Sequence, residues 1–280
     1  MKDLKLNSIK DLKNEGKSFY WASFFLPKKS KNNAGILYSI CRYFDNIADK
    51  NNKDMSLFLK ESIKKIKSDN KNEVNIFLKK NDINVLIFAD LIRGLISDQK
   101  DVKIKNQTDL IKYSYFVAGT VGLMMSKILL VNDRRAFKGA IDLGIAMQLT
   151  NIARDVIEDK KMNREYIKPD FENIQATLKL ADMFYESSFS SIQKIPFRYK
   201  FSIIVARRIY RQIGRKILQK RNMENYEKSG KIYVNNFEKI YHTIISIFDL
   251  ILLYLKEIET HQRVKEHAII SQEIDLDERI

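Results

Sequence analysis

Apolar residues recur at intervals of three and four along most of this 280-residue chain, and sustained period-two alternation is absent. The pattern predicts an all-α protein. Helices are expected at about 8–15, 18–25, 31–50, 55–68, 74–80, 83–97, 107–130, 133–160, 173–192, 197–224 and 234–262. Pro27, Asn32-Asn33, Asn51-Asn52, the polar run from Asp98 to Asp101, Pro169-Asp170, Pro196 and Ser229-Gly230 supply the breaks. No repeat of solenoid length and no Pro/Ser/Gly linker divides the chain, so a single helical domain over 1–270 is expected. The polar, acidic residues 271–280 are expected to fray. The apolar run from Ile244 to Leu255 is short and broken by Asp249, which favours a core helix over a membrane span.

Two of the predicted helices carry polar residues where the pattern calls for apolar ones. In the first, Tyr38, Arg42, Asp45 and Asp49 fall within a stripe roughly 60° wide at about 100° per residue. Ile36, Ile40, Tyr43 and Ile47 lie opposite, and Leu37, Cys41, Phe44 and Ala48 fill one flank. A helix apolar on most sides is a buried one, so the carboxylates should face an internal cavity. The second repeats the arrangement with Gln148, Asn151, Asp155 and Asp159 on one stripe among Ile145, Leu149, Ile152, Val156 and Ile157.

Each stripe holds a D-x-x-x-D pair, Asp45/Asp49 and Asp155/Asp159. That spacing sets two like charges about one turn apart on a single face. They repel unless something cationic stands between them. A magnesium ion that also holds a diphosphate suits the chemistry, because hard cations take carboxylate and phosphate oxygens together. The alternative is that the acids pair with some of the fifty basic residues. Either helix alone fits that alternative, but the same stripe occurring twice argues for facing metal-binding helices.

Composition narrows the rest. The chain is 45% hydrophobic, with three prolines, nine glycines, sixteen Phe and thirteen Tyr, enough to fill a core and line an apolar cavity. The single cysteine, Cys41, excludes an internal disulfide framework, suits a reducing compartment, and is expected to pack. The first residues contain no uninterrupted apolar run, so no secretory signal is expected and a cytoplasmic location is. The net charge of +15 admits nucleic acid, anionic lipid or anionic small molecules as partners. Much of it is lysine scattered through stretches such as Lys60 to Lys80, and no nucleic-acid motif accompanies it, which argues against nucleic acid.

Arg42 and Arg154 suit diphosphate oxygens through their guanidinium forks, or pair with the neighbouring aspartates. His242, His261 and His267 have no metal-like spacing and are assigned no chemistry. Gly119-Thr120-Val121-Gly122 lacks the strand–turn–helix setting of a nucleotide loop and points to close helix packing, or to an apolar chain passing near the backbone.

With these residues in place, the chain resembles the squalene and phytoene synthase family of head-to-head prenyltransferases. The likeness extends over about residues 16 to 245. It comprises Ser18-Phe19-Tyr20 with Leu26-Pro27, Tyr38-x-x-x-Arg42-x-x-Asp45-x-x-x-Asp49, and Tyr113-x-Tyr115-x-Val117-Ala118-Gly119-Thr120-Val121-Gly122. It continues through Gln148-Leu149-Thr150-Asn151-Ile152-x-Arg154-Asp155-x-x-Glu158-Asp159, Arg164-x-Tyr166, and Ile213-Gly214-Arg215-Lys216. The glycine stretch and the Gly214 segment look more like the bacterial phytoene synthases. Lys50-Asn51-Asn52 departs from the acidic continuation usual after the first pair.

The resemblance implies a single-domain isoprenoid synthase-type helical bundle around a central hydrophobic cavity. It implies magnesium (manganese as a substitute) held by Asp45, Asp49, Asp155 and Asp159, with Asn151 as a further ligand. Asp45, Asp49, Asp155, Asp159, Tyr38 and Arg42 would serve catalysis. Ser18, Tyr38, Arg42, Tyr115, Gln148, Asn151, Arg154, Tyr166 and Tyr226 would contact diphosphate or substrate. The implied reaction joins two geranylgeranyl diphosphates into phytoene through a cyclopropyl diphosphate, with no NADPH. Alternatives are a squalene or dehydrosqualene synthase using farnesyl diphosphate, and a non-catalytic lipid-binding or assembly factor. A waxy product implies peripheral membrane contact and neighbouring carotenoid-pathway enzymes as partners.

Overall fold

The computed structural model describes residues 9–49, 53–98, 102–255 and 265–280. Asn51-Asn52, Asp101, Lys50 and His261 lie outside them. Helices α1 (Lys10–Asn14), α2 (Lys17–Ser23), α3 (Lys28–Ala48), α4 (Lys53–Ser68), α5 (Glu73–Lys80) and α6 (Val85–Ser97) form the first half. Then come α7 (Gln107–Ser114), α8 (Thr120–Ile128), α9 (Arg134–Lys161), α10 (Phe171–Ser191), α11 (Phe197–Leu218), α12 (Met223–Lys228), α13 (Asn236–Leu255) and α14 (Lys265–Glu273).

The all-α expectation holds. Of the predicted breaks, Asp170 caps the helix that follows it, while Asn32-Asn33 lies inside α3 and breaks nothing. Asn72, Asn106, Asp133 and Asp170 each accept a backbone N–H from the first turn of the helix that follows. Pro27 and Pro196 immediately precede α3 and α11. The single helix expected over 107–130 is two helices joined by a π-helical turn, Tyr115–Gly119. The helix expected over 197–224 ends earlier, and Arg221 takes a left-handed φ of 66° before α12 begins.

Helix α9 runs through the middle of the protein against α10, α8, α11 and the π-helical turn. Two glycines bring backbones together there. A Cβ on Gly144 would lie 2.3 Å from the Ala118 carbonyl oxygen, and one on Gly122 would lie 2.2 Å from that of Ala140. Close helix packing is therefore the role of the Gly119–Gly122 segment.

One short feature has no sequence signal. The two-residue strands β1 (Val102–Lys103) and β2 (Arg164–Glu165) pair in parallel, Val102 opposite Arg164, and this fixes the residue after α9 that turns back toward the acids.

Two expectations are corrected. The tail 271–280 packs instead of fraying. Ile274 is buried, Arg279 Nε lies 3.0 Å from Asp90 Oδ2, and Lys127 Nζ donates to the Ile280 carbonyl at 3.0 Å. The run from Ile244 to Leu255 belongs to a surface helix whose apolar side faces outward, while Lys239, His242 and Ser246 are buried on its other side and Asp249 pairs with Arg208. Among the described residues no helix is long and apolar enough to cross a membrane.

Candidate active site

A cavity of about 1350 Å³ lies between α2, α3, α8, α9 and α11. Its deep walls are apolar, including Leu37, Val121, Met125, Leu143 and Ile213. Tyr38, Arg42, Asp45 and Asp49 of α3 line it, and so do Gln148, Asn151, Arg154, Asp155 and Asp159 of α9. Ser18 and Tyr166 also line it. Both predicted stripes therefore face one space. They sit half-exposed at its polar end, with Asp49 exposed, rather than wholly inside.

Asp45, Asp49 and Asp155 are each met directly by a cation. Arg42 Nη1 lies 2.5 Å from Asp45 Oδ2 and also bonds Glu15. Arg154 Nε donates to Asp155 Oδ1 at 2.8 Å. Lys231 Nζ lies 3.4 Å from Asp155 and 2.7 Å from Glu158. Arg164 Nη1 donates to Asp49 Oδ1 at 2.8 Å, and its charge reaches Asp45 and Asp159 as well. Arg164 thus stands electrostatically between the two acidic pairs.

Burial, then repulsion from Asp155, pushes the Asp159 carboxyl up to about 7, with Arg164 pulling the other way. Burial and then Asp49 raise Asp45. Carboxylates so crowded favour a cation. The side-chain oxygen of Asn151 is buried and makes no hydrogen bond, although its stripe-mate Asp155 is paired with Arg154.

Hard oxygen donors on facing helices, one of them orphaned, fit magnesium. Among the described residues no three His, Cys, Asp or Glu side chains are grouped so as to hold a metal by themselves. Diphosphate oxygens would have to complete the coordination shell.

Residues 12–171 match the family model for squalene/phytoene synthase. The chain belongs to the squalene/phytoene synthase family. It is a prenyltransferase, and its likeness is to the family's bacterial phytoene synthases. It is 29% identical over 252 residues to a 15-cis-phytoene synthase of a Paracoccus species, covering 78% of this chain and 83% of the relative. It is 27% identical to that of Enterobacter agglomerans over 242 residues, covering 72% and 82%. A solved dehydrosqualene synthase with bound ligand superposes with a TM-score of 0.74 at 26% identity, covering 86% of this chain and 94% of the other.

Two residues expected at the substrate are placed elsewhere in this member of the family. Tyr115 is fully buried in the π-helical turn, does not line the cavity, and lies within electrostatic reach of Asp90 and Arg279. Two residues apart on a helix means nearly opposite faces, so Tyr113 takes the cavity position instead. Tyr226 is buried outside the cavity lining, and its hydroxyl donates to the carbonyl oxygens of Ala153 and Arg154, at 3.1 and 2.6 Å. It holds the backbone that carries Arg154.

Three cavity residues escaped the sequence reading. Asp98, expected only as part of a loop, is buried and accepts from the hydroxyls of Tyr113 (2.8 Å) and Tyr166 (2.9 Å). Burial lifts its carboxyl to about 6 despite those two donors. Tyr210 stacks on Phe19 with ring centroids 4.8 Å apart and lies within electrostatic reach of Arg154 and Asp155. Arg164, quoted in a motif without a role, is the third.

Proposed function

We propose that this protein condenses two geranylgeranyl diphosphates head-to-head into phytoene, releasing diphosphate twice. The carrying observation is that both acidic stripes and their arginines open onto a single apolar cavity of about 1350 Å³. That exceeds the ~300–1,000 Å³ usual for a drug-sized ligand and suits two long chains. The names of the relatives, phytoene synthases, support the choice of product.

Asp45, Asp49, Asn151, Asp155 and Asp159 would hold magnesium. Bound there, the metal would neutralise the charge of a departing diphosphate. Arg42, Arg154, Arg164 and Lys231 add donors on the same side, which orient the diphosphate and stabilise it as it leaves. The allylic C1–O bond breaks, and the cation adds across the C2=C3 double bond of the second chain. Loss of a proton closes a cyclopropane that keeps the second diphosphate. That diphosphate leaves in turn, the skeleton rearranges, and a final proton loss gives the central double bond without a reductant. Leu37, Val121, Met125 and Ile213 keep water from the cations. Tyr38 beside Arg42 and the Tyr113–Tyr166 pair present hydroxyls and ring faces to the same region.

Purified protein given geranylgeranyl diphosphate and magnesium, without NADPH, should yield a C40 hydrocarbon on mass analysis. Binding without hydrocarbon would count against the reading. A second reading is favoured by the likeness to the dehydrosqualene synthase. Turnover of farnesyl diphosphate alone, to a C30 product, would select it. Peripheral contact with a membrane follows from either product, both being hydrocarbons insoluble in water.

A further inference from the structure

Helix α13 is built inside out. Its polar residues Lys239, His242 and Ser246 are buried, and Asp249 turns inward to Arg208. Facing outward are Phe237, Ile240, Ile244, Ile247, Phe248 and Ile251, each between 47% and 85% exposed. Steps of three and four make these a single stripe along the helix, and none of its charged residues lies on it.

The patch continues onto neighbouring elements. The Trp21 indole donates to Thr243 at 3.0 Å, which ties α2 to α13, and Phe24 and Phe25, the residues that follow α2, are exposed. Near the other end, Lys200 Nζ bonds the Tyr254 hydroxyl at 3.0 Å, and Phe197 is exposed at the start of α11. Cations flank both ends. Lys31 lies 4.1 Å from the Phe24 ring centroid, Lys28 and Lys29 are exposed at the start of α3, and Arg198 follows Phe197.

The cavity reaches the same place. Tyr233, Asn236 and Lys239 line it, so the first turn of α13 forms part of its wall. An uncharged apolar stripe with a basic border matches an anionic lipid surface, whose headgroups meet the lysines while its acyl chains take the helix face. A protein partner of equal fit would need no basic border and no junction with the cavity.

We propose that α13, with Phe24, Phe25 and Phe197, lies in the interfacial plane of an anionic bilayer, and that the cavity discharges its hydrocarbon there. The discharge rests on the reaction proposed above; the docking does not.

Sedimentation of the full chain with phosphatidylglycerol/phosphatidylcholine vesicles tests the docking without any turnover. Trp21, the only tryptophan, reports insertion through quenching by brominated acyl chains. Wild type should bind anionic vesicles, several-fold better than pure phosphatidylcholine, with Trp21 quenched. The pair Ile244→Ser with Phe248→Ser should bind at least about tenfold more weakly, with product formation in detergent unchanged.

Wild type failing to bind at low salt, or the double variant binding equally well, would overturn the docking. So would light scattering that finds a wild-type dimer which the variant dissociates, since a second copy would then cover the face. If vesicles bind but no diphosphate is turned over, the docking stands and only the reaction falls.

Discussion

Arg164 donates to Asp49 at 2.8 Å although 115 residues separate them. The contact joins the turn after the second acidic helix to the end of the first, and the short strand pair holds it in place. Arg164 is well shielded while Asp49 stays more open, so the guanidinium is preorganised at the mouth. Arg164→Ala should lower kcat/KM for the isoprenoid diphosphate by roughly 10- to 100-fold, matching about 1.5–3 kcal/mol for a charged hydrogen bond. Arg164→Lys should recover part of this, since it keeps the charge and loses the fork. Steady-state release of diphosphate measures both.

In the proposed magnesium site, the Asp159 carboxyl, pushed to about 7, would make cation binding depend on pH. A ligand must shed its proton before it coordinates. Magnesium affinity, measured by calorimetry without substrate, should fall by up to about tenfold per pH unit below about 7. Asp159→Asn should bind more weakly and lose most of that slope. Equal slopes in both proteins would contradict the assignment. With no cation present the sign for stability is opposite. The folded state holds a proton that the unfolded carboxyl gives up near its ordinary 3.8, so stability declines as pH rises from about 4 to about 7.

Gly144 packs against backbone. An added Cβ would meet the carbonyl oxygen of Ala118 at 2.3 Å and its carbon at 2.8 Å, and neither can swing aside as a side chain could. Alanine gains roughly 1 kcal/mol of helix propensity, but overpacking against a backbone that cannot give way costs about 2–3 kcal/mol, the upper part of its usual range. The balance favours destabilisation, because α9 and the π-helical turn must separate. Gly144→Ala should therefore lower the urea midpoint by an amount worth about 1–2 kcal/mol, and a midpoint equal to wild type would show that the helices part freely.

How much of this was visible beforehand follows from the range of each signal. The stripes of Tyr38 to Asp49 and Gln148 to Asp159 are local patterns within single helices, so periodicity alone located them. Asp98, Arg164 and Tyr210 act through partners far along the chain or on other elements, and no local pattern gives them a role, although Arg164 stands in a family motif. Asp98 sat in a polar run that reads as a loop. Tyr113 and Tyr115 lie nearly opposite each other on their helix, and only the packing decides which one meets the cavity. Periodicity likewise marked the α13 region as a helix, and its apolar run read as core, because the pattern alone does not tell which side faces in. Lys239 and His242, buried on the inner side, settle that only once the helix is packed.

Asp98 tests whether the buried tyrosine pair is held by a charged or a neutral partner. Its carboxyl is lifted from an ordinary 3.8 to about 6, first by burial, while the Tyr113 and Tyr166 hydroxyls partly restrain the shift. Between about pH 4 and 6 the folded protein keeps a proton that the unfolded chain releases, so the fold loses stability as pH rises through that window. Two units correspond to on the order of 3 kcal/mol. Asp98→Asn cannot ionise and should lack this component, while its side-chain oxygen still accepts from one tyrosine. The stability difference between wild type and Asp98→Asn, from urea unfolding at pH values from about 4 to 8, should favour wild type most at the acid end. It should shrink or reverse above about 6. A difference that stays constant across the range would mean that the carboxylate is already charged in the folded protein at pH 4.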